Sequence, residues 1–364
     1  MFGTHTTIQS AITDLATLGG GRKRVIFIFP GTYVENLVFP TNQDTSLHLI
    51  GDCKRLTNPT FGAQDFTVNW SSIIVNGGSS APVITYSSLV NVPDVLFEGI
   101  EFRSSYATAG FDIGRGGLRF IDCALIQQSA GPCILGNTGV AGVGTDELRL
   151  ENCVIVAPLA QYALAFSGTS LVMDHCSVRG RFWWLGAEST IESSYFEASI
   201  GAGEAVVKLY GFLAAVYNYR FVGNHIKQDG AGDGLKIGGG GSSDRFVINS
   251  NIIEGAPSGT AIDATTVDGA IVSGNYMKGW SVGILAPASG AVTGFPNYYQ
   301  SVTTPWSGTG VFQATEARAH GIIAGSGAGF TAPVGGSIIT GDGAGGWTTL
   351  PVGGVGTVLQ STGT

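Results

Sequence analysis

Between Asp174 and Glu197 the chain gathers most of the side chains that can do chemistry on a sugar: Asp174, His175, Arg179, Arg181, Trp183, Trp184, Glu188, Glu192, Tyr195 and Glu197. Glycoside hydrolysis needs two carboxylates, about 5 Å apart with retention and about 6.5–9.5 Å apart with inversion. Asp174, Glu188, Glu192 and Glu197 are therefore the catalytic candidates. Arg179, Arg181, Trp183, Trp184 and Tyr195 are the ligand-binding candidates, the rings as stacking surfaces and the guanidinium groups as donors. An opposing expectation comes from strand alternation. It turns Glu192 and Glu197 outward as ordinary solvated residues and sends one of two adjacent tryptophans into the core.

Other chemistries are poorly represented. Five cysteines, at 53, 123, 133, 153 and 176, lack C-x-x-C or Cys/His metal spacing, so no metal or cofactor is expected and the thiols are expected to be free and buried. The Gly240-Gly-Ser-Ser run lacks the Lys-Ser/Thr ending of a phosphate loop. His175 and His225 flank a structural column described next, which gives them a structural role.

That column is what must position everything else. A short motif recurs as Phe120-Ile-Asp-Cys-Ala-Leu-Ile126, Leu150-Glu-Asn-Cys-Val-Ile-Val156, Met173-Asp-His-Cys-Ser-Val178 and Phe221-Val-Gly-Asn-His-Ile226. Aligned copies place Ile100, Cys123, Cys153, Cys176, Ser194, Asn224, Asn251 and Asn275 in one column, seven steps with a mean period of 25 residues. Such a period marks a stacked-repeat architecture, and the alternating apolar pattern of each unit marks strands. One strand cannot bury its apolar face alone, whereas stacked coils bury it continuously and pair each backbone with its neighbours about 4.8 Å away. The expected fold is all-β, a single-stranded parallel β-helix whose coils hold three short strands. Small Cys, Ser and Asn then form a ladder inside it, with Asn amides bonding up the stack.

Composition agrees. Apolar residues make up 44% of 364, charged residues only 12%, and glycine contributes 57, which suits a solenoid with many turns and argues against bundles or disorder. A net charge of −8 with a single basic triplet, Arg22-Lys-Arg24, excludes nucleic acid as an expected partner. Runs of eighteen apolar residues are absent, so membrane insertion is not expected. The opening Met1-Phe-Gly-Thr-His does not read as a secretion leader, which points to assembly in a cytoplasm.

Four regions follow: an N-terminal capping helix (1–21, helical from 6 to 18), the solenoid (22–294), an aromatic linker (295–306) and a Gly/Thr-rich C-terminal β tail (307–364). Thr6 or Thr7 can cap the helix, whose Ile8, Ala11, Ile12 and Leu15 share a face. Excursions from the coils are expected at 54–82, 136–146, 200–219 and 229–245.

Ile8-Gln-Ser-Ala-Ile12, Phe29-Pro-Gly-Thr-Tyr-Val-Glu-Asn-Leu37 and Leu47-His-Leu-Ile-Gly51 together resemble the opening of pectin-lyase-like right-handed parallel β-helix proteins. The resemblance covers residues 6–53 and implies a right-handed solenoid, the residues themselves leaving the hand open. That superfamily spans lyases, esterases, galacturonases and phage tailspikes. Its catalytic strings ("QAVAL", "DFIFG", "NTD", "GHG") are absent here, so the resemblance transfers no catalytic residue. In the tail, Pro333-Val-Gly-Gly-Ser-Ile-Ile-Thr-Gly-Asp-Gly-Ala-Gly-Gly-Trp347 is echoed by Pro351-Val-Gly-Gly-Val-Gly-Thr-Val-Leu-Gln-Ser-Thr-Gly-Thr364, and this repeat resembles segments of phage tail fibres. It implies a virion protein, a homotrimer attached to other virion proteins through its tail, helix or coil sides and facing a host cell-surface polysaccharide. A polysaccharide-degrading or deacylating enzyme on the same solenoid is the alternative, and a bacterial surface adhesin comes third.

Overall fold

A computed structural model describes residues 5–17, 23–39, 46–51, 73–86, 95–113, 117–136, 147–211, 218–239, 245–267, 269–287, 291–308, 311–312, 338–341 and 347–350. Its strands wind into a parallel β-helix with three strands per coil, stacked into three parallel sheets. In one coil, Val95–Glu98 belongs to the first stack, Glu101–Ser104 to the second and Phe111–Ile113 to the third, and Leu118–Ile121 begins the next coil on top of Val95–Glu98. Two strands, Tyr162–Asp174 and Arg181–Glu192, run without a break from the third stack into the first and join those two sheets.

Alternation decides what is inside. In Arg181–Glu192 the residues Phe182, Trp184 and Ile191 are fully buried while Arg181, Trp183 and Glu192 face outward. Inward residues stack on their counterparts: Phe97 lies on Phe120 with ring centroids 4.9 Å apart, and Trp184 lies on Phe166 at 5.6 Å. The core is therefore a continuous column of like side chains, the arrangement that a repeat too small to bury its own face requires.

The polar column sits at the corner between the first and second stacks. Asn224 Oδ1 accepts the backbone N–H of Ser194 at 2.9 Å, Asn251 Oδ1 that of Asn224 at 2.8 Å, and Asn275 Oδ1 that of Asn251 at 3.0 Å. Their Nδ2 groups donate to Ile191, Phe221 and Ile248 carbonyls in the coil below. The corner's polar backbone groups are thus satisfied without water. Just before each rung the chain turns through a left-handed residue: Asp122, Asn152, His175, Ser193 and Ser250 have φ between 49° and 56°. His175 is thus a corner residue. Cys123, Cys153 and Cys176 are rungs, and with Cys133 they are free and buried; burial pushes the Cys123 and Cys133 thiols up, out of the reactive range. Cys53 lies outside the described residues.

The helix occupies Ile8–Thr17, with Ile8, Ala11 and Ile12 buried against the solenoid. Thr7 Oγ1 accepts from Ser10 N at 3.1 Å, and Glu35 of the Pro-Gly-Thr-Tyr turn accepts from Ile8 N and Gln9 N at 3.0 and 2.9 Å.

Three boundaries differ from expectation. The segment 295–306 is not a linker: Tyr298–Gln300 stacks on Tyr276–Lys278, Thr304–Ser307 stacks on Val282–Leu285, and Asn297 adds a rung by accepting from Asn275 N at 3.0 Å. Pro296, at the corner, hid a repeat. Val311–Phe312 extends the first stack further. Within the stretches 200–219 and 229–245 the described residues include a third-stack strand each, Ala205–Gly211 and Asp233–Gly239, where an excursion was expected. Glycines there reflect crowding, since a Cβ on Gly238 would lie 2.3 Å from Thr266 Oγ1. In the tail, Ile338–Gly341 and Trp347–Leu350 pair antiparallel. The excursion cores 52–72 and 137–146, and most of the tail repeat, lie outside the described residues.

Candidate functional site

The coil that contains residues 174–197 wraps the whole solenoid, so neighbours in sequence end on three different faces. Asp174, Glu188 and Glu192 stand on the outer face of the first stack. Arg179, Tyr195 and Glu197 belong to the second. Arg181 and Trp183 belong to the third. The expected cluster is dispersed, for the physical reason that a strand–corner–strand path reverses the outward direction every few residues.

On the first face Asp174 and Glu192 are register partners in adjacent coils, continuing a column that starts at Glu151. Each carboxylate has a basic neighbour: Glu151 pairs with Arg149, Asp174 with His175 at 2.7 Å, and Glu192 with Arg220 at 2.7 Å. Glu188 is exposed. Of the four catalytic candidates, Asp174 and Glu192 are neighbours on this face, while Glu197 is on another, bound to Lys227 at 3.1 Å.

Two ligand candidates are withdrawn from solvent. Trp184 is 0% exposed, inside the core. Tyr195 is 5% exposed, its ring edge-on to His225 at 5.2 Å, and burial pushes its phenol up to about 12. His225 in turn bonds Glu254 at 3.2 Å. Arg179 lies in the charged row of the second face that continues through Glu197, Lys227, Glu254 and Lys278.

The third face offers the concavity. Tyr162, Trp183, Leu185, Lys208 and Tyr210 line an open depression of about 260 Å³. Trp183 and Tyr162 have ring centroids 6.0 Å apart, tilted by 40°, and the Arg181 guanidinium lies 3.9 Å over the Tyr162 ring. Lys208 Nζ bonds Glu204 at 2.5 Å, and Arg181 reaches the same carboxylate at 3.5 Å. The Lys208 hydrogen bond, reinforced by both cations, holds the Glu204 carboxyl below the usual range. Burial raises the Tyr210 phenol, keeping it a neutral donor. One rung on, Lys236 pairs with the nearly buried Asp263 at 2.6 Å, a bond that raises the lysine. Aromatic rings beside fixed donors and acceptors suit the stacking and hydroxyl recognition of a sugar.

Of the residues named from sequence, Trp183 lines this depression and Arg181 lies beside it, over the Tyr162 ring. Tyr162, Leu185, Lys208, Tyr210 and Glu204 were missed. Register finds three of them once the coils are stacked: Lys208 lies on Trp183, Tyr210 on Leu185, and Tyr162 on Arg181 one row away. Among the described residues no cluster of His, Cys, Asp and Glu is arranged to hold a metal ion, and no helix is long and apolar enough to cross a membrane. No protein-family model, curated protein or solved structure matches this chain.

Proposed function

We propose that the chain is a bacteriophage virion protein, a homotrimeric tail-spike, tail-fibre or capsid-fibre component assembled in the host cytoplasm, that contacts a host surface glycan through the depression around Trp183 and other virion proteins elsewhere. The observation that carries the virion reading is the duplicated Gly/Thr tail, Pro333–Trp347 echoed by 351–364. A segment so poor in apolar side chains gains little by folding alone and gains order by packing on a partner. The pectin-lyase-like resemblance of residues 6–53 is compatible with this, since tailspikes share that solenoid.

Binding without cleavage is favoured by the first face, where Asp174 and Glu192 are adjacent but each is engaged by its own neighbour, His175 and Arg220. A glycosidase acid needs a raised pKa, which an apolar pocket provides and a row of ion pairs does not.

Localising the chain in purified virions tests the main reading, and absence from them sinks it. Incubation with host capsule or lipopolysaccharide is expected to yield neither reducing ends, unsaturated products nor released acyl groups. Trp183→Ala is expected to weaken glycan retention about tenfold or more while the circular dichroism stays that of the wild type, the behaviour of a half-buried ring on the outer face. Unchanged retention would move the glycan site elsewhere.

A further inference from the structure

We infer that the depression around Trp183 takes a sugar that carries an anionic group, a carboxylate or a phosphate ester, and that Lys208 is the residue that meets the charge. This rests on the glycan reading above and adds the chemistry of the sugar.

The polar side chains of the lining are donors. Among Tyr162, Trp183, Leu185, Lys208 and Tyr210, the indole and the ammonium can only donate, and the two phenols hold the only side-chain acceptor oxygens. A neutral sugar brings a ring of hydroxyls, and each hydroxyl donor withdrawn from water needs an acceptor. Carboxylates and amides are the side chains that supply acceptors freely, and the lining holds neither. The carboxylate that reaches Lys208 is already engaged: Glu204 takes Lys208 Nζ at 2.5 Å and Arg181 Nη1 at 3.5 Å. An anionic substituent reverses the mismatch, because it brings acceptor oxygens and no donor.

Donors are also in surplus. Arg181 and Lys208 together carry about eight N–H donors against about four lone-pair positions on the one carboxylate they share. Arg181 Nε is buried without a hydrogen-bond partner. Within this triad one of two positive charges is left over. The neighbouring carboxylates are committed elsewhere. Asp263 pairs with Lys236, the register partner of Lys208, at 2.6 Å, and its other oxygen takes Thr265 N at 3.0 Å and Thr265 Oγ1 at 2.7 Å. Asp233 Oδ1 takes Thr260 N at 2.9 Å. The Arg181 and Lys208 side chains are 18% and 19% exposed, so an arriving anion meets them partly withdrawn from water, where charge pairs are stronger than in bulk. Beside them, the Trp183 ring and Leu185 give the apolar face of a pyranose a surface to stack on. With a net charge of −8 the molecule as a whole does not draw anions in, so the attraction is local to this depression.

Ligand-observed NMR titrations of the full chain with glucose, glucuronate and glucose 6-phosphate compare one ring without and with each anion. The anionic sugars are expected to half-saturate the protein at concentrations at least tenfold below glucose; preference for one of the two identifies the charge as carboxylate or as phosphate. Lys208→Gln is expected to bring both down to the level of glucose, and Trp183→Ala to weaken all three sugars, with circular dichroism unchanged in each variant. Because removing Lys208 also loosens Glu204, Lys208→Arg is the second variant: it restores the charge and is expected to keep the preference. Equal binding of the three sugars, lost together in Trp183→Ala, overturns the anionic assignment and leaves the glycan depression standing. A preference that survives Lys208→Gln, or that Lys208→Arg fails to keep, overturns the assignment in the same way. Binding of none of the three, or binding that Trp183→Ala leaves untouched, overturns both readings.

Discussion

Asn251 lies inside the solenoid at 1% exposure, yet it is bonded on every side. Its Oδ1 takes the Asn224 N–H at 2.8 Å, and its Nδ2 reaches the Phe221 carbonyl at 3.0 Å and Asn275 Oδ1 at 2.8 Å. Asn251→Ala leaves a buried N–H and a buried carbonyl unsatisfied, with an expected cost of about 3 kcal/mol. Asn251→Ser is expected to recover part of that, because Ser194 fills an equivalent rung and its Oγ accepts from Cys176 N at 3.1 Å. Denaturant midpoints should rank wild type above Ser above Ala; Ala equal to wild type would remove the ladder's structural role. This column was legible in the sequence because, from Cys123 onward, one backbone geometry is filled by small or amide side chains. The residue before it was not, because Gly, Asp, Asn, His and Ser all take the left-handed conformation there and no one residue type dominates. His175, suggestive of chemistry in the sequence, is explained by that corner.

At the scale of elements, the capping helix was readable from its period and its threonine cap, but its other N-terminal partner was not. Glu35 lies 27 residues from Ile8, and its two oxygens bond Ile8 N and Gln9 N. A carboxylate there satisfies two orphan donors and faces the positive end of the helix dipole. Glu35→Gln keeps one acceptor and loses the charge, with an expected local cost of about 1 kcal/mol. Hydrogen exchange at Ala11 and Ile12 should accelerate several-fold while amides of distant coils stay as they were. Unchanged exchange at the helix would show that its apolar face alone holds it. The 174–197 cluster failed at this same scale. Reading it as one site treats contiguity as proximity, whereas strands that run unbroken from the third stack to the first carry Trp183 and Glu192 to different faces. The 295–306 segment failed for a related reason: Pro296 occupies a corner position where other coils have a left-handed residue, so the copy does not look like its siblings.

For the whole molecule, contacts run almost entirely between one coil and the next, as the pairing of each strand with its counterparts directly above and below requires. Stability is then close to a sum of coil terms and nearest-neighbour interfaces, and a local lesion should travel only as far as cooperativity between coils carries it. Asn251 joins the coils of Asn224 and Asn275. In Asn251→Ala, amide exchange is expected to rise in Asn218–Val222, Arg245–Asn249 and Gly269–Ser273, and to remain at wild-type rates in Val95–Glu98 and Leu118–Ile121. The continuous strands Tyr162–Asp174 and Arg181–Glu192, which weld two stacks together and bury Phe166 against Trp184, should act as the barrier between the two halves. Uniform acceleration along the whole chain would instead mean that the solenoid opens as one unit, with coupling between coils stronger than the loss of a rung.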